Sequence, residues 1–269
     1  EHIDPVLDDL WGDPAEAATL RRLRALMAGG AEPRRPYQAP VSFRILPRLL
    51  ARLRRAAEAA RVAAETSLSA VTDNPVFLPP DGDHPRGRVL STGGFHNAMA
   101  SPAMDELAAA YADLATLAER YSAKLLTGEV SRLPDQLLLD DDEQNFLGCL
   151  PMAGVGLAEA ARHAAQRTFL PASESGGYAQ NDMATPNFLA WEHQEEAGRC
   201  LDGALASLSL VIERAFEVTD RQVPEALRPL LHEIREAGQP QSGPAGLARA
   251  SERLFARYRA RIYAPAAPE

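Results

Sequence analysis

The sequence predicts an all-α protein, a bundle of long helices that forms a single domain over residues 1–269. Three observations carry this. Hydrophobic residues make up 46% of the chain but aromatic ones only 6%, and the balance is carried by alanine, leucine and arginine, all good helix formers. Apolar residues recur at steps of three and four over long runs. No two segments offer themselves as paired strands, and no internal repeat or linker divides the chain.

Asp13-Pro14 sets a capping carboxylate before a proline at the first helical position. Leu20, Leu23, Leu26 and Met27 then keep helical spacing until Gly29-Gly30 ends the run. The turn-rich passage from Glu32 to Pro40 cannot be helical throughout. It leads through Val41-Ser42-Phe43-Arg44 to a long helix running from Pro47 to about Val71. That helix stops at Thr72-Asp73-Asn74-Pro75, where the proline drives Asn74 out of the helical region. A proline-, glycine- and aspartate-rich excursion follows and returns through Ser91-Thr92-Gly93-Gly94-Phe95-His96. An aromatic ring and an imidazole thus stand at the mouth of the next helix, as a binding loop on a helical scaffold or as an ordinary loop with one apolar plug.

Ser101-Pro102 opens that next helix. Its Leu107, Tyr111, Leu114, Ala118, Tyr121 and Leu125 form a heptad-like seam that needs a partner helix, a candidate interface between chains. After a break at Thr127 to Pro134, the acidic run Asp140-Asp141-Asp142-Glu143 reads as a solvated helix start rather than a metal site, because no ligand pattern accompanies it. Pro151 to Phe169 is a helix rich in small residues. A second polar loop, Pro171 to Asp182, opens into a long helix from about Pro186 to Thr219, and two closing helices span Pro224 to Ala237 and Pro244 to Tyr263. The total is about seven helices. Glu192 and Glu196 share a helix face beside His193, but with no second such helix they read as a solvated face and no metal ligand is expected.

The 28 basic and 37 acidic residues give a net charge of -9, which argues against nucleic acid as a partner. No apolar run is long enough to span a membrane, and the start of the chain lacks a signal-peptide core. Cys149 and Cys200 lie in apolar helical contexts and are expected to be reduced core residues, so the cytoplasm is the expected compartment.

Three separated segments together resemble the aromatic amino acid ammonia-lyase family, which includes histidine, phenylalanine and tyrosine ammonia-lyases and the related 2,3-aminomutases. They are Gln38-Ala39-Pro40-Val41-Ser42-Phe43-Arg44 with Pro47, Thr72-Asp73-Asn74-Pro75 leading to Gly93-Gly94-Phe95-His96, and Gln180-Asn181-Asp182. Each motif is weak alone; three in order with helices between them are specific. The resemblance is to the family's C-terminal half. It implies a helical bundle of the fumarase- and aspartase-like kind and an enzyme that breaks a carbon–nitrogen bond. The implied cofactor is a methylidene-imidazolone ring, MIO, which forms from an internal Ala-Ser-Gly tripeptide and activates the substrate amine, while a base removes the β-proton.

This chain has no Ala-Ser-Gly. Its Ser175-Gly176 and Ser242-Gly243 pairs follow Glu174 and Gln241. The ring is therefore expected on a partner chain equivalent to the family's N-terminal half, in a hetero-oligomer that resembles the family's tetramers with their shared active sites. The alternatives are a stand-alone interaction or regulatory subunit, and a fragment of a longer chain.

The resemblance also implies roles. Arg44 matches the arginine that binds the substrate carboxylate, a task suited to a bidentate guanidinium. Phe95 matches the phenylalanine beside the ring, Gln38 a glutamine near the site, and Gln180 and Asn181 the pair of the third motif. The expected catalytic set is Arg44, Phe95 and Asn181; Gln38, Val41, Arg44, Gln180 and Asn181 contact substrate, and Phe95 and Gln180 face the ring. Bland roles exist for each: a surface arginine, a core plug, a turn amide, a helix cap. Val41 stands where the family has a tyrosine and Gly94 where it has an asparagine. Asn181 replaces the glutamate of histidine-specific members, so a small amino acid with a neutral side chain is the expected substrate.

Overall fold

The structure is a computed structural model that describes residues 2–30, 38–139, 146–178, 180–238 and 243–262. In chain order its elements are α1 (Leu7–Leu10), α2 (Pro14–Met27), α3 (Val41–Arg44), α4 (Leu46–Ser69), β1 (Val76–Leu78), β2 (Arg88–Leu90), α5 (Ala100–Leu126), α6 (Gly128–Ser131), α7 (Cys149–Ala164), β3 (Ala172–Gly176), β4 (Asn181–Met183), α8 (Asn187–Glu217), α9 (Arg228–Gly238) and α10 (Gly243–Ile262). The seven helical runs read from the sequence correspond to α2, α4, α5, α7, α8, α9 and α10. Among the described residues no helix is long and apolar enough to cross a membrane.

The bundle is built around α5 and α8, which pack along each other and against α7, while α4 covers α5. Alanines make this possible. Ala112, Ala115 and Ala118 of α5 meet Cys200, Leu201, Ala204 and Leu208 of α8 and Ala161 of α7, and small side chains let helix axes approach closely. Where α7 meets α5, Gly154 lies against Glu119, and a Cβ there would stand in ordinary contact, 3.4 Å from its side chain. A larger-residue cluster, with Leu126, Leu137, Leu210, Val211, Ile234 and Leu254 at its heart, joins α9 and α10 to α8. At the start of α2, the Asp13 carboxylate accepts hydrogen bonds from the Ala15 and Glu16 amides at 2.9 and 3.0 Å. The Glu16 amide, with the Arg55 guanidinium, holds that carboxyl below its usual range.

Several expectations are corrected. The α5 seam is not exposed for another chain, since Leu107, Leu114 and Ala118 are buried under the protein's own α4, α7 and α8. Cys200 is a buried free thiol as expected, but Cys149, at the first position of α7, is exposed. The helix expected to reach Phe169 ends at Ala164. There buried Asp105 of α5 accepts hydrogen bonds from the Thr168 amide and hydroxyl at 3.0 Å each, drawing the chain off its helical path.

The two loops, expected to lack strand pairing, each carry an antiparallel hairpin: β1 pairs with β2 in the register Val76↔Leu90, Phe77↔Val89, Leu78↔Arg88, and β3 pairs with β4. The first hairpin is closed by Asp81, whose Oδ1 accepts from the Asp83 and His84 amides at 3.0 and 2.6 Å. Gly87 makes the turn possible. It has a φ of +69, and a Cβ there would lie 2.5 Å from the Leu78 carbonyl oxygen. The acidic run at 140–143 lies outside the described residues.

Candidate active-site elements

The second motif is a locked loop. The Asn74 side-chain oxygen accepts from the Thr92 amide at 2.8 Å and the Ser91 hydroxyl at 3.3 Å, so the end of α4 is tied across the hairpin to its return strand. Thr92 donates its hydroxyl to the Asp73 carbonyl at 3.4 Å and accepts the Gly94 amide at 3.1 Å. Gly94 lies against α4's exit, where a Cβ would stand in ordinary contact, 3.4 Å from the Thr72 Cα. The loop then makes one 3-10 turn over Gly94–His96 and ends at Asn97, in the left-handed region with a φ of 45, a conformation asparagine tolerates better than most residues.

The segment that follows the third motif docks onto this loop. The Nε2 of His96 lies 3.2 Å from the Ala184 carbonyl oxygen, which accepts its proton and so fixes the ring tautomer. Thr185 returns a hydroxyl hydrogen bond to the His96 carbonyl at 3.2 Å, and the Asn187 amide group reaches the His96 and Asn97 carbonyls at 3.3 and 3.4 Å. Asn97 in turn donates to the Ser67 hydroxyl at 2.5 Å. The ends of α4, α5 and α8 are therefore stitched together around His96. The sequence reading passed over Asn97, Thr185 and Asn187; the available signal was that two amides directly follow His96 and Pro186 in chain positions that open helices.

Phe95 itself is 57% exposed at this junction, and Phe188 is 81% exposed on the first turn of α8. Gln180, Asn181 and Asp182 are exposed on the second hairpin, where the Asn181 amide lies over Gly177, 3.2 Å from where a Cβ would be. Glu195 and Glu196, nearby in sequence, pair with Arg259 and Arg199, and His193 bonds to the Gln166 carbonyl.

The first motif is elsewhere. Phe43 stacks on Tyr121 with ring centroids 4.4 Å apart, and the Tyr121 hydroxyl donates to the Ser42 carbonyl at 3.0 Å; burial pushes that hydroxyl above its usual range. This pins α3 to the C-terminal part of α5. Gln38, Val41 and Arg44 are exposed around it. Arg44 donates Nε to the Ala39 carbonyl at 3.0 Å, which leaves its two terminal amino groups without a partner among the described residues and open to a carboxylate.

Helix α4 separates the two groups. Its 24 residues span about 36 Å at about 1.5 Å per residue, with Arg44 before its first turn and the Phe95 loop bonded to its last. One chain thus brings Phe95, Gln180 and Asn181 to one end of the bundle and Gln38, Val41 and Arg44 to the other. Phe95 stays exposed at its end of the bundle, and this sequence contains no Ala-Ser-Gly tripeptide.

The model of the family described as aromatic amino acid lyase matches residues 1–236. The histidine ammonia-lyase of Symbiobacterium thermophilum is 29% identical over 253 residues, covering 91% of this chain and 48% of that protein. Among solved structures, histidine ammonia-lyase from Trypanosoma cruzi superposes with a TM-score of 0.82 at 18% identity, covering 98% of this chain and 51% of that one. Pantoea agglomerans phenylalanine aminomutase gives 0.78 at 15%, covering 95% and 54%. The chain spans about half the length of the curated relatives it matches. A bundle organised on α5 and α8, three motifs in order and a family match over most of the sequence agree, and the chain belongs to the aromatic amino acid lyase family.

Proposed function

We propose that this chain is the half of a carbon–nitrogen lyase, of the ammonia-lyase or aminomutase type, that supplies substrate-binding residues in the cytoplasm. A second polypeptide carrying Ala-Ser-Gly supplies MIO. The observation that carries the proposal is the separation of Arg44 from Phe95 along α4: the residues that would share one small substrate cannot meet within one chain. A site that uses both takes Arg44 from one copy and Phe95, Gln180 and Asn181 from another, in a tetramer-like hetero-oligomer. An apolar groove of about 880 Å³ between α4 and the start of α5, bordered by Asn97 and Met99 beside the Phe95 loop, supports this as ground for a neighbouring chain.

In this reading the open fork of Arg44 holds the substrate carboxylate through two parallel hydrogen bonds. Phe95 and Phe188 exclude water from the reacting end, and a dry environment strengthens each polar contact there. The amide of Asn181, with the apolar Val41, suits a neutral side chain. His96 positions Phe95 by holding the loop to Ala184. When bound, the methylidene-imidazolone supplies the electrophile that turns the amine into a leaving group; Phe95 and Gln180 are the residues of this chain that would face it.

A non-catalytic subunit is the second reading. Val41 and Gly94 favour it, since both lack the polar side chain found at those positions in the family. Co-expression with an Ala-Ser-Gly chain, followed by purification and assay of ammonia and alkene release from aromatic and small amino acids, separates the two. Turnover that falls roughly 10- to 100-fold in Arg44→Ala, the loss expected for charge-assisted hydrogen bonds, supports the enzyme. A stable complex that stays inert toward every amino acid supports the scaffold.

A further inference from the structure

Helices α7 and α10 both pack on α8, and a cleft of about 450 Å³ opens among the three, far in sequence from the loop junction. Gly203 of α8 shapes its floor: a Cβ there would stand 3.1 Å from Leu157 of α7. The walls are apolar, with Leu157, Leu247 and Phe255 prominent, and the volume falls in the range of roughly 300–1,000 Å³ typical of small-molecule sites.

The polar groups of the cleft set it apart. Ser207 of α8 is 3% exposed and lines the cleft, yet it makes no hydrogen bond among the described residues. Buried helical hydroxyls elsewhere in this protein bond to the carbonyl one turn back: Thr19 to Ala15 at 2.8 Å, Ser122 to Ala118 at 3.1 Å, Ser209 to Leu205 at 2.8 Å. Ser207 does not, and its hydroxyl is left to the cleft. Ser251 of α10 lines the same space, also without a partner among the described residues. The Ser207 oxygen is not among the buried polar atoms that lack a partner; it meets solvent through the cleft and can exchange that water for a ligand's polar group. The rim does not favour an anion, because the Arg199 guanidinium is already forked onto Glu196 at 2.7 and 2.5 Å and Glu252 stands exposed beside it.

We propose that this cleft binds a neutral one-ring aromatic molecule with a single hydrogen-bonding group, its ring against Leu157, Leu247 and Phe255 and its polar group on Ser207 and Ser251. Cys149, exposed at the mouth, reports occupancy without taking part in it. The proposal uses no catalytic activity and stands apart from the function proposed above.

The test uses p-cresol as the probe and toluene as its apolar match on the full chain. Binding is read by ligand-observed saturation-transfer NMR and by the rate at which iodoacetamide alkylates Cys149, with buried Cys200 as the internal report of folding. The expected result is that p-cresol binds about tenfold tighter than toluene, within the range of one hydrogen bond exchanged for water, and slows Cys149 alkylation. Ser207→Ala removes the tenfold preference. Ala248→Phe, at an exposed position on the cleft wall, fills the space and abolishes binding. Equal affinity for the two probes, no binding of either, or binding that survives Ala248→Phe would overturn it.

Discussion

Asn187 shows how much a single amide can hold. Its nitrogen serves two carbonyls of the Phe95 loop while its own oxygen is buried without a partner among the described residues. Asn187→Ala therefore removes the bonds across that junction and leaves two carbonyls less well satisfied, a loss of about 1–3 kcal/mol; chemical denaturation measures it, and hydrogen exchange should rise first in residues 93–97. Asn74→Ala should loosen the same loop from the other side by freeing the Thr92 amide. Of the candidate site residues, Arg44, Phe95 and Asn181 stand out in the sequence as motif positions because residue identity and order survive there. The hydrogen bonds between His96 and Ala184, 88 positions apart, were not: no local rule announces which distant carbonyl an imidazole will find.

At the scale of the element, long helices declare themselves through repetition, and α4, α5 and α8 were readable for that reason. The hairpins were hidden because each strand has only three to five residues, too few for alternation to stand out, and closure of the first depends on Asp81, Gly87 and the distant Asn74. The seam on α5 was read correctly as apolar and wrongly as free, since periodicity reveals that a face is covered but not by what. Helix packing makes its own prediction. Leu210 of α8 is wholly buried in the cluster shared with α9 and α10, so Leu210→Ala should cost about 2–5 kcal/mol, seen as a lower denaturation midpoint. The α2 cap gives a pH dependence. Asp13 ionises more readily folded than unfolded, so its stabilisation is present above its unfolded value of 3.8 and fades as acid protonates it below that. In a thermal melt the advantage of the parent over Asp13→Ala should shrink on acidification from pH 5 to pH 2, as should the advantage of the parent over Asp13→Asn.

For the whole molecule, the decisive length is that of α4, which holds Arg44 and Phe95, the proposed carboxylate-binding and ring-facing residues, at opposite ends of the bundle. Such an arrangement makes two differently damaged copies useful to each other. If the active assembly is built as proposed, Arg44→Ala and Phe95→Ala chains are each strongly impaired alone, but mixed in equal amounts and reassembled they should regain about a quarter of fully intact sites, those in which an intact arginine from one variant faces an intact phenylalanine from the other. A protein whose working parts lay on one chain would recover nothing from that mixture. Helix length, a matter of rise per residue, thereby becomes a rule of inheritance: two defective alleles of this gene would complement one another.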